Sequence, residues 1–198
     1  MDPRQARTKA NLRDAIYALA EEGPVDDISV ADAARRAGIS RETFYKWSAG
    51  PVDLLATVLG EELDEVVASH SNLPVSSGSD ATVYDEATHD LLLHVARHAA
   101  VYRNAMSPRL NAALRHVLTS HIESSLTERL TLHPQLAPMI RGKRPSPAAV
   151  GMLIAYGAAG AVGTIEAWLT DGDPDDTGEA EAAILAAAAP WWLGRGEA

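Results

Sequence analysis

Apolar positions recur with helical spacing from the start of this 198-residue chain. Leu12, Ala15, Ile16, Leu19 and Ala20 fall at i, i+3, i+4, i+7 and i+8, which gathers them on one face of a helix. Gly23-Pro24 ends that helix. Ser29 then precedes Val30, Ala33, Ala34 and Ala37, with Asp32 three residues on as an acidic form of the capping box. Gly38 suits a left-handed helix end and Ser40 suits the cap of the next helix, so two short helices are predicted around the turn Ala37-Gly38-Ile39. Pro51 opens a longer helix with Leu55, Val58, Leu59, Leu63, Val66 and Val67 turned inward. Glu61, Glu62, Asp64 and Glu65 are expected to be its solvated face.

After a polar loop over 71–79 (SNLPVSSGS), helices are predicted at about 82–105 with a break near Ala99, then at about 109–132, 147–170 and 177–193. No stretch alternates apolar and polar residues over a useful length, so no sheet is expected. The pattern predicts an all-α fold of about nine helices, with a helix-turn-helix domain over residues 1–50 and a second helical domain over 51–198.

Ala148 to Ile165 runs without a charge and is long enough to span a bilayer. Its residues are mostly Ala and Gly, which contribute little to partition into lipid, and Glu166 follows directly. Gly157, Gly160 and Gly163 would let another helix approach closely, so burial between helices is expected and a membrane partner is not.

The chain has no cysteine, which excludes disulfides, thiolate metal sites and cysteine nucleophiles. Its charged N-terminus carries no apolar run resembling a signal peptide, so a cytoplasmic location is expected. The net charge of -10 is unevenly divided: residues 1–47 hold 8 basic and 8 acidic residues, the remainder 9 and 19. Arg4, Arg7, Lys9, Arg13, Arg41 and Lys46 are candidates for one basic face that meets phosphates while the acidic body discourages indiscriminate coating of DNA.

Val30 to Tyr45, VADAARRAGISRETFY, resembles the helix-turn-helix of the TetR family of one-component transcriptional repressors, and Leu54-Leu55 resembles the pair that opens the family's fourth helix. The resemblance covers about residues 8–59, and a looser one at GAAGAVGTIEAWLTDG covers the family's dimerising helices. It implies a cytoplasmic homodimer on double-stranded operator DNA, a repressor released by a small-molecule effector bound in the C-terminal domain.

A recognition helix must present one exposed face to a major groove about 12 Å wide. Ile39 and Phe44 are placed to anchor the unit, leaving Arg41, Glu42, Thr43, Tyr45 and Lys46 to look outward. Arg41 has the chemistry to read guanine O6/N7 and Thr43 that to pack on a thymine methyl; Tyr45 and Lys46 reach phosphates more naturally. Ser29 and Ser40 complete the candidate DNA-binding set, Ser29 and Tyr45 also by the resemblance. The alternative is an ordinary solvated helix face. The family's pattern is departed from after Tyr45: Ser48 stands in a usually aromatic slot and Pro51 where a phosphate-binding Lys is usual, with Trp47 and the backbone N–H groups of the fourth helix as substitutes.

In the last helix Ala180, Ile184, Ala187 and Trp191 follow 4, 3, 4 spacing. Paired with Gly157, Gly160, Thr164 and Trp168, they are the candidate dimer interface; Trp168, Trp191 and Trp192 have an intrachain core as their other reading. A two-fold dimer would read a near-palindrome. Polar groups among apolar stripes, His94 and His121, with Tyr102, Met106, Met152 and Tyr156 beside them, are the candidate effector contacts, with ordinary core as the alternative. The scarcity of aromatic residues favours a small or flexible metabolite. His94 and His98 at i, i+4 with Asp90 have metal-ligand spacing, but such pairs are common without an ion, so no metal and no cofactor are expected.

No phosphate-cradling Gly loop, HExxH or GxSxG motif occurs, so no enzyme is expected. A helical protein-interaction module that has lost DNA binding is the competing reading.

Overall fold

The computed structural model describes residues 3–70 and 80–189. These contain nine α-helices and no strand: α1 Pro3–Glu22, α2 Val30–Ala37, α3 Arg41–Tyr45, α4 Pro51–His70, α5 Asp80–Arg97, α6 Ala99–Asn104, α7 Ala112–Leu132, α8 Pro147–Asp171 and α9 Thr177–Ala187. The chain forms two compact units, one of residues up to Glu62 with His98–Val117, the other of Leu63–Arg97 with the chain from Leu118 on. The first takes in α6 and the start of α7, well beyond the helix-turn-helix.

The expected break falls at His98, whose backbone (φ -107, ψ 23) leaves the helical region between α5 and α6. Helix α7 starts at Ala112, later than the expected 109, because Asn111 accepts a hydrogen bond from the Ala113 amide at 2.9 Å and so caps it.

In the first unit Leu12, Ile16 and Ala20 of α1 are buried with Ala33, Ala34 and Ala37 of α2 and Phe44 of α3. The small α2 side chains let α1 and α2 pack closely, and side-chain amides tie up helix ends. Asn11 donates to the Ala37 carbonyl at 3.3 Å, and Asn104 donates to the Ala20 and Glu21 carbonyls at 2.8 and 3.1 Å.

One carboxylate departs from expectation. Glu61, Asp64 and Glu65 are exposed as a solvated face requires, but Glu62 is only 9% exposed. It faces α1, one turn position away from its acidic neighbours, and accepts hydrogen bonds from Arg13 Nη2 and, at 2.8 Å, from the Tyr17 hydroxyl on one oxygen. His98 Nε2 lies 2.8 Å from the other oxygen, and the Tyr17 ring stacks on the His98 ring with centroids 4.7 Å apart. Burial alone would raise the Glu62 carboxyl; the hydrogen bonds from Tyr17 and His98 and the charges beside it outweigh burial and hold it below its ordinary value. The Tyr17 phenol is pushed well up by burial and by its bond to Glu62.

In the second unit α9 packs on α5 and α8. Helix α8 starts with Ser146 accepting from the Ala149 amide at 3.2 Å and Pro147 in its first turn. It ends where the Trp168 indole donates to the Asp173 carbonyl at 2.9 Å. A Cβ on Gly172 would lie 2.6 Å from Trp168 Cδ1, so only glycine fits under that ring. Ile154, Ala158, Val162, Ile165 and Leu169 form the buried side of α8. The opposite side, Gly151, Met152, Ala155, Tyr156, Ala159 and Gly160, is exposed, with Met152 71% and Tyr156 82% accessible. Helix α8 is long and apolar enough, by length and composition, to cross a membrane.

Removing the Glu62 charge tests its anchoring role. Glu62→Gln is expected to cost about 1–3 kcal/mol at neutral pH, the penalty for weakening the partners of a buried acceptor, read as a lower urea midpoint. Because the folded-state carboxyl sits below its unfolded value, its contribution is present above the ordinary carboxylate range and is lost as pH falls through the folded value. The two midpoints should therefore converge in acid; equal midpoints at pH 7 would remove the anchor from the account.

Candidate nucleic-acid interface

The turn between α2 and α3 is built from local hydrogen bonds. Ser29 caps α2 by accepting from the Asp32 amide at 3.1 Å, and its hydroxyl donates to the Asp32 carboxylate, which Arg35 also contacts at 2.6 Å. The bond from Ser29 and the Arg35 charge hold the Asp32 carboxyl below its usual range. The Ser29 backbone N–H lowers it further, so Asp32 reaches back to the cap as in a capping box.

Helix α2 closes on Gly38 in the left-handed region, φ 69 and ψ 32. The Ile39 amide donates to Ala34 O at 3.0 Å and the Gly38 amide to Arg35 O at 3.2 Å, the two bonds of a Schellman end. Two residues later Ser40 caps α3, accepting from the Thr43 amide at 3.1 Å with its hydroxyl 2.9 Å from Thr43 Oγ1.

This geometry sorts the side chains of α3. Phe44 is fully buried and meets the Tyr45 ring edge-on, with centroids 6.1 Å apart, while Tyr45 is 61% exposed. Arg41 and Glu42 are exposed, Thr43 is half-buried, and Lys46 pairs with Glu42 at 3.1 Å on the surface. The residues named from sequence as DNA contacts, Ser29, Ser40, Arg41, Glu42, Thr43, Tyr45 and Lys46, therefore lie at the two caps and along one short exposed helix.

The departure after Tyr45 has a structural solution. Ser48 donates its hydroxyl to the Gly50 carbonyl at 2.9 Å, and that carbonyl also accepts from the Leu54 amide in the first turn of α4. A hydroxyl thus closes the turn where an aromatic ring was absent, and Trp47 is half-buried beside it. The start of α4 is a poor substitute for the missing Lys, because Pro51 has no N–H and exposed Asp53 adds a negative charge to the first turn.

Of the basic face expected from sequence, Lys9 pairs with Glu61 at 2.7 Å and Arg13 with Glu62. Arg7 and Arg41 are exposed and have no ion-pair partner among the described residues.

The candidate effector residues are distributed differently. Tyr102 is fully buried in the first unit, its phenol pushed well up by burial and by the Glu62 charge, and Met106 is half-buried there. In the second unit His94 is buried, and half-buried His121 is held below its ordinary value by burial, with Asp64 opposing. Met152 and Tyr156, expected beside them, are instead on the exposed side of α8. None of the six lines the open groove of about 370 Å³ formed by Leu93, Ala96, Arg97, Pro174, Asp175 and Thr177.

Among the candidate dimer residues, Gly157, Trp168 and Ile184 are buried within their own unit; Gly160 and Ala187 are exposed, Thr164 is half-buried, and Trp191 lies outside the described residues. Sequence reasoning missed Glu62, Tyr17 and His98 as a cluster. The available signal was Arg13 and Tyr17 at i, i+4, two donors on one helical face.

No family model matches the chain, and no curated protein matches it in sequence. Solved structures match it over nearly all its length. The fatty acid degradation regulator FadR from Bacillus halodurans has a TM-score of 0.63 at 12% identity, covering 93% of this chain and 96% of that one. A TetR-family transcriptional regulator from Streptomyces coelicolor has a TM-score of 0.61 at 19% identity, covering 93% and 79%. The transcriptional regulator FadR from Bacillus subtilis, solved with stearoyl-CoA, has a TM-score of 0.56 at 13% identity, covering 91% and 99%. At these identities the likeness is one of fold: the chain has the all-helical fold of the TetR-family regulators.

The left-handed residue of the turn gives a direct check. Gly38→Ala meets no neighbouring atom within 4 Å, so its cost is conformational alone, roughly 1–2 kcal/mol for a Cβ in that region. A thermal or urea midpoint unchanged from wild type would mean the turn does not hold this conformation.

Proposed function

We propose that this protein is a ligand-responsive, DNA-binding transcriptional regulator that works as a homodimer on a near-palindromic operator and acts as a repressor released by a small-molecule effector. The observation that carries this reading is the Schellman turn on Gly38, which fixes a short capped helix with Phe44 inward and Arg41, Glu42, Tyr45 and Lys46 outward. A major groove needs that arrangement, with Arg41 addressing base edges and Tyr45 and Lys46 addressing phosphates. Similarity in fold to transcriptional regulators supports it and argues against an enzyme.

The exposed apolar side of α8 supports the dimer. Met152 and Tyr156 are better assigned to that face than to an effector site, and the Gly and Ala residues around them suit close approach of a second helix more than contact with lipid. The effector is a small or flexible metabolite, since the chain has one Phe and five Tyr. The similar fold that holds stearoyl-CoA is consistent with a flexible ligand.

A gel shift on the DNA beside the protein's own gene tests the reading. Arg41→Ala should cost about 1–3 kcal/mol of binding and relax sequence preference, whereas Lys46→Ala should weaken all sequences alike and lower the salt slope by about one. Tyr45→Ala should weaken binding as a lost phosphate contact. If wild type binds neither that DNA nor a random pool at low salt, the chain is an interaction module of the same fold.

A further inference from the structure

The two ends of α8 carry opposite charge that forms no ion pair among the described residues, though Arg97 lines one groove with Asp175. Just before the helix, the tight turn closed by Ile140 and Lys143 presents Arg141, Lys143 and Arg144, all exposed. Just after it come Asp171, Asp173, Asp175 and Asp176, also exposed. None of these seven residues has an ion-pair partner among the described residues. Helix α8 has 25 residues, which at about 1.5 Å each separates its ends by roughly 37 Å. That is several times the screening length of about 8 Å at physiological salt, so one end does not neutralise the other.

Local structure does not ask for most of these charges. Cations stand at the N-terminal end of α8 and anions at its C-terminal end, the arrangement that the helix dipole disfavours. Asp176 has a separate use, accepting from the Gly178 and Glu179 amides to cap α9, and Asp173 accepts from the Asp175 amide. Asp171, Asp175 and the three cations have no such use.

We propose that these ends form a charge clamp between two copies of the chain, which pairs the α8 helices antiparallel. This rests on the homodimer reading and specifies its orientation. Each copy exposes the stripe Gly151, Met152, Ala155, Tyr156, Ala159 and Gly160 near the middle of α8. If two such stripes met in parallel, cations would face cations at one end and carboxylates would face carboxylates at the other. Antiparallel packing about the same stripe sets the 141–144 turn of each copy against the 171–176 segment of its partner, twice by symmetry. The stripe supplies the apolar contact, and the charged ends select the direction.

The clamp is tested by reversing each end separately in the full-length protein. K143E/R144E leaves Arg141, at φ 51, untouched; D171K/D175K leaves the α9 cap untouched. Alone, each variant should dimerise at least about tenfold more weakly than wild type in sedimentation equilibrium at low salt, with unchanged circular dichroism. Mixed, they should assemble mainly as a heterodimer by native mass spectrometry, since both clamps are then attractive again. Wild-type dimerisation should weaken as salt rises. A dimeric wild type whose two variants mix statistically would overturn the clamp and leave the homodimer standing. A wild type that stays monomeric at all concentrations would overturn both.

Discussion

The Glu62 carboxylate sets the register of the first unit because its acceptor positions are directional where the surrounding contacts are not. Apolar burial rewards any arrangement that removes area from water, and the alanine-rich surface of α2 has few shape features to resist sliding. Arg13 and Tyr17 on α1 and His98 before α6 all meet the one carboxylate that α4 turns inward. Displacing α1 by a turn would leave that charge without donors, a penalty larger than the net worth of any one of the bonds. Helices α2 and α3 follow α1, through Asn11 on the Ala37 carbonyl and Arg36 paired with Glu22. A polar contact away from α3 thus fixes the frame on which it stands.

The same economy of charge shapes the surface around α3. Lys9, Arg13, Arg35, Arg36 and Lys46 are each held by a carboxylate of their own unit. Of these pairs only Lys46–Glu42 lies on α3, so an anion reaching Lys46 must displace Glu42. Exposed pairs of this kind are weak, on the order of 0–1 kcal/mol, and exchange is inexpensive. What the pairing suppresses is general attraction to polyanions, since counterion release scales with the phosphates actually neutralised.

How far the sequence was legible depends on the range of the interactions concerned. The Gly38 turn, both serine caps and the inward Phe44 depend on neighbours within a few residues, and they stand where periodicity and capping rules put them. The solvated face expected for Glu61, Glu62, Asp64 and Glu65 fails at Glu62 alone, because its partners are 36 to 49 residues away in sequence. His98 has i, i+4 spacing to His94 in sequence, but spacing could not show that its Nε2 meets Glu62, 36 residues away. Ser48 was read as a lost aromatic; that a hydroxyl could close the turn onto the Gly50 carbonyl required a backbone path that spacing does not encode.

Helix α8 shows why hydropathy alone misassigns such a segment. Its uncharged run satisfies a bilayer length criterion, yet one side is committed to the protein through Ile154, Val162, Ile165 and Leu169, and the buried side also holds Glu166. A membrane-spanning role would place that carboxylate at hydrocarbon depth and leave a surface of mostly Gly and Ala to face lipid, which gains little from either. Water is a poor cover too, since Met152 and Tyr156 stand out from the small residues around them. A stripe of small residues that flanks two large apolar side chains suits a second copy in the proposed dimer, because each large residue could lie over the partner's glycines. The long uncharged run is apolar on one side for its own core, and on the other it carries the exposed stripe that the proposed dimer would cover.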